Sequence, residues 1–394
     1  MKLQLSQDEL EKNRKTIRKK MQQDEIDALC LFSSRGIFYL TGLYLIQTER
    51  PVGLLYDGVN TAAFVPALEV EHVKELGGVD EIISYKEYPG EKHPMKILAE
   101  KIENREVRRL GVDSDGYPGG YGYEGPALSD ILDLDVEELP KLIENIMRVK
   151  SDEEIQLIKE SCRWGNLAHR YLQDYTKPGK TENEISTRAS LDASRAMLKT
   201  VSDDYYSPKG ATMPASAGFR GQIGKGSAIP HALTSNKTIK EGQVLVTGAS
   251  ANVGGYVSEL ERTMIVGEPW DKQVEFFRYM VKAGEVALDA IEPGVSFADV
   301  DKKVRDFYRE KDLMDYWRHH TGHSIGFDGH EAPYLDRNDD RELKPGMVVT
   351  VEPGLYVPEF AGFRHSDTVL VTKEGSEMLT YYPRDLESLI IPVS

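Results

Sequence analysis

The residues most able to do chemistry lie in the C-terminal half. In "VLVTGASANVGGYVSELERT" (Val244 to Thr263), Glu259 and Glu261 stand two apart, so alternation along a strand puts both carboxylates on one face. "NVGG" predicts a hairpin turn, which sets residues whose numbers sum to about 507 opposite one another, Gly248 against Glu259. A solvated strand face would account for a lone E-x-E, and Val257 and Leu260 differ in parity, so the pattern leaves the buried face open. "RHHTGHSIGFDGHEAP" brings His319, His320, His323 and His330 into twelve residues, out of nine histidines in the chain. Gly322, Gly326 and Gly329 let that backbone pass close to a neighbour or ligand. "GMVVTVEPGLY" ends an apolar run on Glu352, and a carboxylate is seldom buried without a partner. "GFRHSDTVLV" supplies Arg364, His365 and Asp367, and "SAIPHALTSN" sets His231 after a proline. Imidazoles beside carboxylates offer acid–base chemistry near neutral pH.

These side chains need elements to hold them. Strand-rich segments are predicted at 243–266, 320–330, 346–357 and 363–372. Helix starts are signalled by Ser151 with Glu154 and by Thr181 with Glu184, both with capping-box spacing. Ile155, Ile158 and Cys162 continue the first as an apolar stripe. "KQVEFFRYMVKAGEVALDAI" and the stretch after "PGVSFADVDKKV" read as two further helices. Helices beside a largely antiparallel sheet make this second domain α+β. Before it, "DALCLFSSRGIFYLTGLY" and "VGLLYDGVNTAAFVP" read as short buried strands, alternating with helical "EVEHVKELGG" and "PMKILAEKIENR". That alternation predicts an α/β first domain over residues 1–140, followed by a second over 150–394.

The chain of 394 residues is too long for one ordinary core, in keeping with two domains. A net charge of −16, with no basic cluster, argues against a nucleic-acid surface. Two cysteines, Cys30 and Cys162, exclude a disulfide framework. Neither a signal peptide nor a membrane-length apolar run is evident, so a cytoplasmic protein without membrane contact is expected.

The order of "SAIPHALTSNKTIKEGQVLV", "GGYVSELERT", "GHSIGFDGHEAP", "GMVVTVEPGLY" and "GFRHSDTVLVT" resembles the pita-bread family of methionine aminopeptidases, Xaa-Pro peptidases (prolidases) and creatinase. The resemblance covers most of 150–394, while residues 1–140 look like the creatinase-type N-terminal domain. It implies a pita-bread fold for the C-terminal domain. Peptidases of this family hold two divalent metals with Asp, Asp, His, Glu and Glu. Carried over, these positions fall on Gly248, Glu259, His323, Glu352 and Ser366. Hard cations need several anionic oxygens and Gly248 has no side chain, which argues against a dinuclear cluster. Creatinase, which is metal-free, has an acid at the position of Glu261. Together with the acid matching Glu352 it grips a guanidinium, and the histidine matching His231 shuttles the proton. "GHSIG" also carries the serine seen in creatinase. An N-terminal-domain arginine that reaches the neighbouring subunit's substrate there falls on Arg50.

The leading expectation is therefore a creatinase-type, metal-independent C–N hydrolase with no cofactor. Its substrate would be a small zwitterionic amidine or guanidine carboxylate, creatine- or ectoine-like. Carboxylates sharing a pocket need a cation, and an amidinium accepts them in bidentate fashion. In this reading His231, Glu261, Glu352, His323 and His330 are catalytic, Arg50, Arg364 and Glu259 bind substrate, and the chain is a homodimer. The alternative is an Xaa-Pro dipeptidase or aminopeptidase with one divalent ion, zinc or manganese, on Glu259, His323 and Glu352. A third reading is an inactive family member that serves as a binding module.

Overall fold

The computed structural model describes residues 3–201, 205, 207, 209 and 212–393. The chain divides between Met147 and Arg148 into two compact units.

The N-terminal unit is built on a six-stranded mixed sheet, in the order Glu81–Tyr85, Thr61–Pro66, Gly53–Tyr56, Ala28–Leu31, Arg109–Val112, Asp135–Glu138. Ala28–Leu31 is buried throughout and pairs antiparallel with Gly53–Tyr56 and parallel with Arg109–Val112. The expected strand run from Asp27 to Tyr44 is strand only over Ala28–Leu31. After Leu31 the Ser33 hydroxyl accepts from the Gly36 amide at 3.1 Å and starts the helix Ser34–Thr41, which stops at left-handed Gly42. Both helical stretches expected later are present, as Val70–Leu76 and Pro94–Glu103.

The C-terminal unit carries an antiparallel nine-stranded sheet. Its main path runs Tyr256–Val257, Gly248–Val253, Leu260–Glu261, Ser366–Val371, Val348–Val351, Gly322–Ser324, Glu331–Leu335. Both capping boxes form, at Ser151 for the helix Asp152–Tyr175 and at Thr181 for Glu182–Thr200. The first of these helices lies against Gly248–Val253, and Gly165 permits the approach. A Cβ there would stand 3.1 Å from Ser258 Oγ and 3.6 Å from the Ser250 backbone. The other two expected helices are Asp271–Ala290 and Phe297–Glu310.

The hairpin register differs from the expected one by two residues. Gly254 and Gly255 occupy the two central positions of the turn, with φ of 56° and 90° and the Gly255 amide donating to Asn252 Oδ1 at 3.1 Å, so Val253 faces Tyr256 and Ala249 faces Leu260. Two consecutive left-handed residues make the primed turn whose twist suits a hairpin. Continued along the strands, this register puts Gly248 across from Glu261 rather than Glu259. Among the described residues, no helix is long and apolar enough to cross a membrane.

Candidate active site

Four neighbouring strands deliver the acids and the imidazole. Glu261 faces Ser366 and Leu260 faces Asp367, Val351 faces Asp367 on its other side, and Ser324 faces Val349. Glu261, Glu352 and His323 are buried, and the Glu259 side chain is one-fifth exposed, so a solvated strand face is excluded. His323 Nε2 lies 3.2 Å from a Glu352 oxygen and 3.9 Å from a Glu259 oxygen. Donor atoms of Glu259, His323 and His330 lie within 4.8 Å of one another, as do those of Glu259, Glu261 and Glu352. Glu259 and Glu261 line a cavity of about 400 Å³ together with Ser216, Gly218, Arg220 and Gly248, among others.

The electrostatics of the cluster follow from this crowding. Burial pushes Glu259 up to about 7, helped by the Glu352 and Glu261 carboxylates. Burial also opposes ionisation of Glu352, but His323 holds it down to about 2, with His319 and Arg364 assisting. His323 is raised to about 9 against its burial, because Glu352 and Glu259 favour the imidazolium. His323 Nδ1–H donates to the Ser324 carbonyl at 3.0 Å, which leaves Nε2 as the nitrogen aimed at the two acids. That buried nitrogen has no aligned hydrogen-bond partner. A divalent ion would satisfy it, and the carboxylates of Glu259 and Glu352 beside it complete a three-residue donor set of the kind zinc or manganese takes. A second ion fits poorly, since Gly248 offers nothing and the Ser366 hydroxyl donates to Glu259 Oε1 at 2.7 Å.

Glu261 belongs to a different group. Arg364 donates to it through Nη2 at 2.8 Å and through Nε, and Arg220 Nη2 donates to the same carboxylate. Arg364 Nη1 donates to the Tyr356 hydroxyl at 2.8 Å, and that hydroxyl lies 2.8 Å from His319 Nε2. His319 Nδ1 lies 2.8 Å from the His320 carbonyl and must donate to it, so the chain of donors runs Arg364, Tyr356, His319. Arg220 lies outside every motif singled out in the sequence, and Tyr356, which ends GMVVTVEPGLY, was assigned no role there. Arg220 is 41 residues from Glu261 along the chain, and only the folded sheet brings them together.

The remaining expected residues are placed as follows. His330 stacks on His323 with ring centroids 3.8 Å apart, and burial and His323 lower its pKa. His231 is exposed, next to Pro230, whose carbonyl accepts from Arg364 Nη1 at 3.5 Å. Arg50 lies in the N-terminal unit, paired with its neighbour Glu49.

Residues 156–373 match the metallopeptidase family M24, and residues 14–122 match the creatinase/prolidase N-terminal domain. The chain belongs to family M24 and is a hydrolase of the C–N peptide-bond type. It is 28% identical over 372 residues to an Xaa-Pro dipeptidase of Pyrococcus horikoshii, covering 93% of this chain and 96% of that one. A second Xaa-Pro dipeptidase, from Pyrococcus furiosus, is 28% identical over 375 residues, covering 93% and 97%. The structure of an Xaa-Pro dipeptidase from Bacillus anthracis superposes with a TM-score of 0.80 at 26% identity, covering 97% of this chain and 99% of that chain.

Two expectations are thereby corrected. The metal-independent amidine or guanidine hydrolase gives way to a metallopeptidase, because the family and these relatives are peptidases. The reason lies in Glu261, whose cation is supplied internally by Arg220 and Arg364 instead of by a substrate. The expectation of no cofactor falls with it, since the family is one of metallopeptidases and Glu259, His323 and Glu352 each lie in a group of three side chains whose donor atoms come within 4.8 Å of one another.

Proposed function

We propose that this chain is an Xaa-Pro dipeptidase working with one divalent ion held by Glu259, His323 and Glu352. The observation that carries the reading is His323 Nε2, buried without an aligned partner between two carboxylates. When bound, such an ion polarises the scissile carbonyl and activates water at neutral pH.

The chain's own residues do the rest. Ser324 fixes the His323 tautomer through Nδ1, and Ser366 fixes one oxygen of Glu259, two restraints that keep the donors aimed at one point. Glu259, raised to about 7, is partly protonated near neutral pH, and a bound ion would displace that proton. His330, kept neutral by its surroundings, offers a ring nitrogen to the peptide beside His323. His231 at the exposed rim can pass a proton to the departing imino nitrogen of proline. The Arg364–Tyr356–His319 chain keeps Glu261 and its strand in place while substrate enters.

Hydrolysis of a panel of Xaa-Pro and Xaa-Ala dipeptides tests the reading. Cleavage confined to Xaa-Pro, abolished by chelation and restored by zinc or manganese, is the expected result. Undiminished turnover in excess chelator would refute it.

A further inference from the structure

Among the described residues, neither ring nitrogen of His330 has a hydrogen-bond partner, and the ring rests on His323 with centroids 3.8 Å apart and planes 19° from parallel. Where this imidazole sits is therefore inherited from its backbone. That backbone is fixed by the next residue, Glu331, whose carboxylate is buried and engaged at both oxygens. Oε1 accepts from the Asp328 amide at 3.0 Å, across the turn that carries His330, and Oε2 accepts from Lys150 Nζ at 2.8 Å. The Lys150 side chain is 0% exposed and that of Glu331 4%. A charge-assisted bond shielded from water in this way is strong, and removing either partner strands the other as an uncompensated charge.

The loop is shaped to admit the pair. A Cβ on Gly326 would stand 2.6 Å from Lys150 Cε and 3.2 Å from Glu331 Oε2, so the lysine stem reaches the carboxylate only because position 326 is bare. The close approach expected at Gly326 is thus to an ion pair. Both sides start from anchored backbone, since the Lys150 amide donates to the Gly346 carbonyl at 2.9 Å and the Val257 amide to the Gly326 carbonyl at 2.8 Å. Ser324 faces Glu331 while His323 faces Tyr334, which leaves Ala332 and Pro333 as extra residues on the strand that follows His330. Bulges of this kind re-aim side chains next to active sites. Here the bulged strand begins at Glu331, and the ion pair fixes where it begins.

Resting on the dipeptidase reading, we propose that Lys150 and Glu331 are positioning residues for His330. Neither belongs to the ion donor set. The pair acts through the backbone of residues 328–331 and holds the His330 ring over His323, with a ring nitrogen ready for the bound peptide. Without it the ring leaves the stack. The loss then falls on KM, because a contact made equally before and during the reaction contributes to binding and not to the chemical step.

Lys150→Met, Glu331→Gln and the double variant test this, each also made together with His330→Ala. The Cε1 proton signal of His330 in zinc-loaded protein, identified by its loss in His330→Ala, reports the stack, since a neighbouring ring face shifts it upfield. KM and kcat for alanyl-proline and bound zinc per chain are measured alongside. In all three variants the signal should move back toward that of free histidine and KM should rise about tenfold, with kcat and zinc content near wild type. In the His330→Ala background the same substitutions should leave KM unaltered, as residues acting through one another do not add. The double variant leaves no unpaired buried charge and so remains informative where a single variant fails to fold. Return of both the signal and KM to wild-type values in it would reduce the pair to a structural role and overturn the proposal. So would a His330 signal indifferent to all three variants, or KM losses as large without His330 as with it. Absence of alanyl-proline cleavage in every form, with a His330 signal that still depends on the pair, would sink the dipeptidase reading and leave the positioning standing.

Discussion

At the scale of single residues, the account rests on which carboxylate has its cation already. Glu261 is held by two arginines, while Glu259 and Glu352 face one imidazole nitrogen. Removing that nitrogen with His323→Ala should weaken ion binding by at least about 100-fold, more than an outer-shell change costs. Ser366→Ala, which only releases one Glu259 oxygen, should weaken it by about tenfold. Competition against a fluorescent chelator reads both; equal losses, or none for His323→Ala, would mean the ion sits elsewhere. Much of this donor set was legible in the sequence, because His323 and Glu352 lie in glycine-punctuated or apolar contexts that a surface residue would not have. What was not legible is the partner of Glu261. Arg364 is 103 residues away and Arg220 sits in a turn with no motif, so an internal ion pair looked like a vacancy for a substrate cation.

At the scale of elements, the strand Leu260–Glu261 is fastened to its neighbours by Arg262. Its fully buried guanidinium donates to Asp367 at 2.7 Å, to the Ser366 carbonyl at 3.0 Å and to the Pro383 carbonyl at 2.8 Å. Arg262→Met should destabilise the C-terminal unit by about 3–5 kcal/mol, because Asp367 then loses its main buried partner. A urea-unfolding midpoint equal to wild type would contradict that. Packed near this arginine are two neutral histidines. His169, 2.7 Å from Thr247 Oγ1 and edge-on to Tyr382, is pushed down to about 3 by burial and by Arg262. His365 is driven well below its usual range by burial, then by Arg262, Arg384 and His169. Both are depressed in the fold, so the unfolded chain binds more protons as pH drops below 6.5. Their stabilisation is complete above that pH and is lost on acidification, each imidazole contributing up to about 1.4 kcal/mol per pH unit. Urea midpoints should therefore fall from pH 7 to pH 5, and His169→Gln should flatten the slope; a slope untouched by that change would count against the assignment. Local signals served best at this scale. Ser151 and Thr181 cap where their spacing says they should, whereas the hairpin register slipped by two because Gly254 and Gly255 take the central positions of the turn and leave Val253 paired in the strand.

At the scale of the whole molecule, every proposed ion donor belongs to the C-terminal unit, on strands that are neighbours in one sheet. Ion binding should slow amide hydrogen exchange around residues 259–261, 322–324 and 348–352, while residues 3–147 exchange as before. A uniform change across both units would contradict a site confined to one. The pita-bread architecture was readable from the order of motifs along the chain, since four of the five motifs carry strands of this sheet. The cofactor was not, because two of the five positions that carry ligands in the peptidases this chain resembles, Gly248 and Ser366, lack carboxylates. Their loss argues against a second ion without arguing against the first. The number of ions per chain is therefore the most direct test. Metal-free protein loaded with zinc or manganese, freed of excess and analysed by elemental mass spectrometry should hold one ion per chain, with Xaa-Pro cleavage rising in proportion to it. Two ions per chain, or cleavage at full rate with none, would contradict the account.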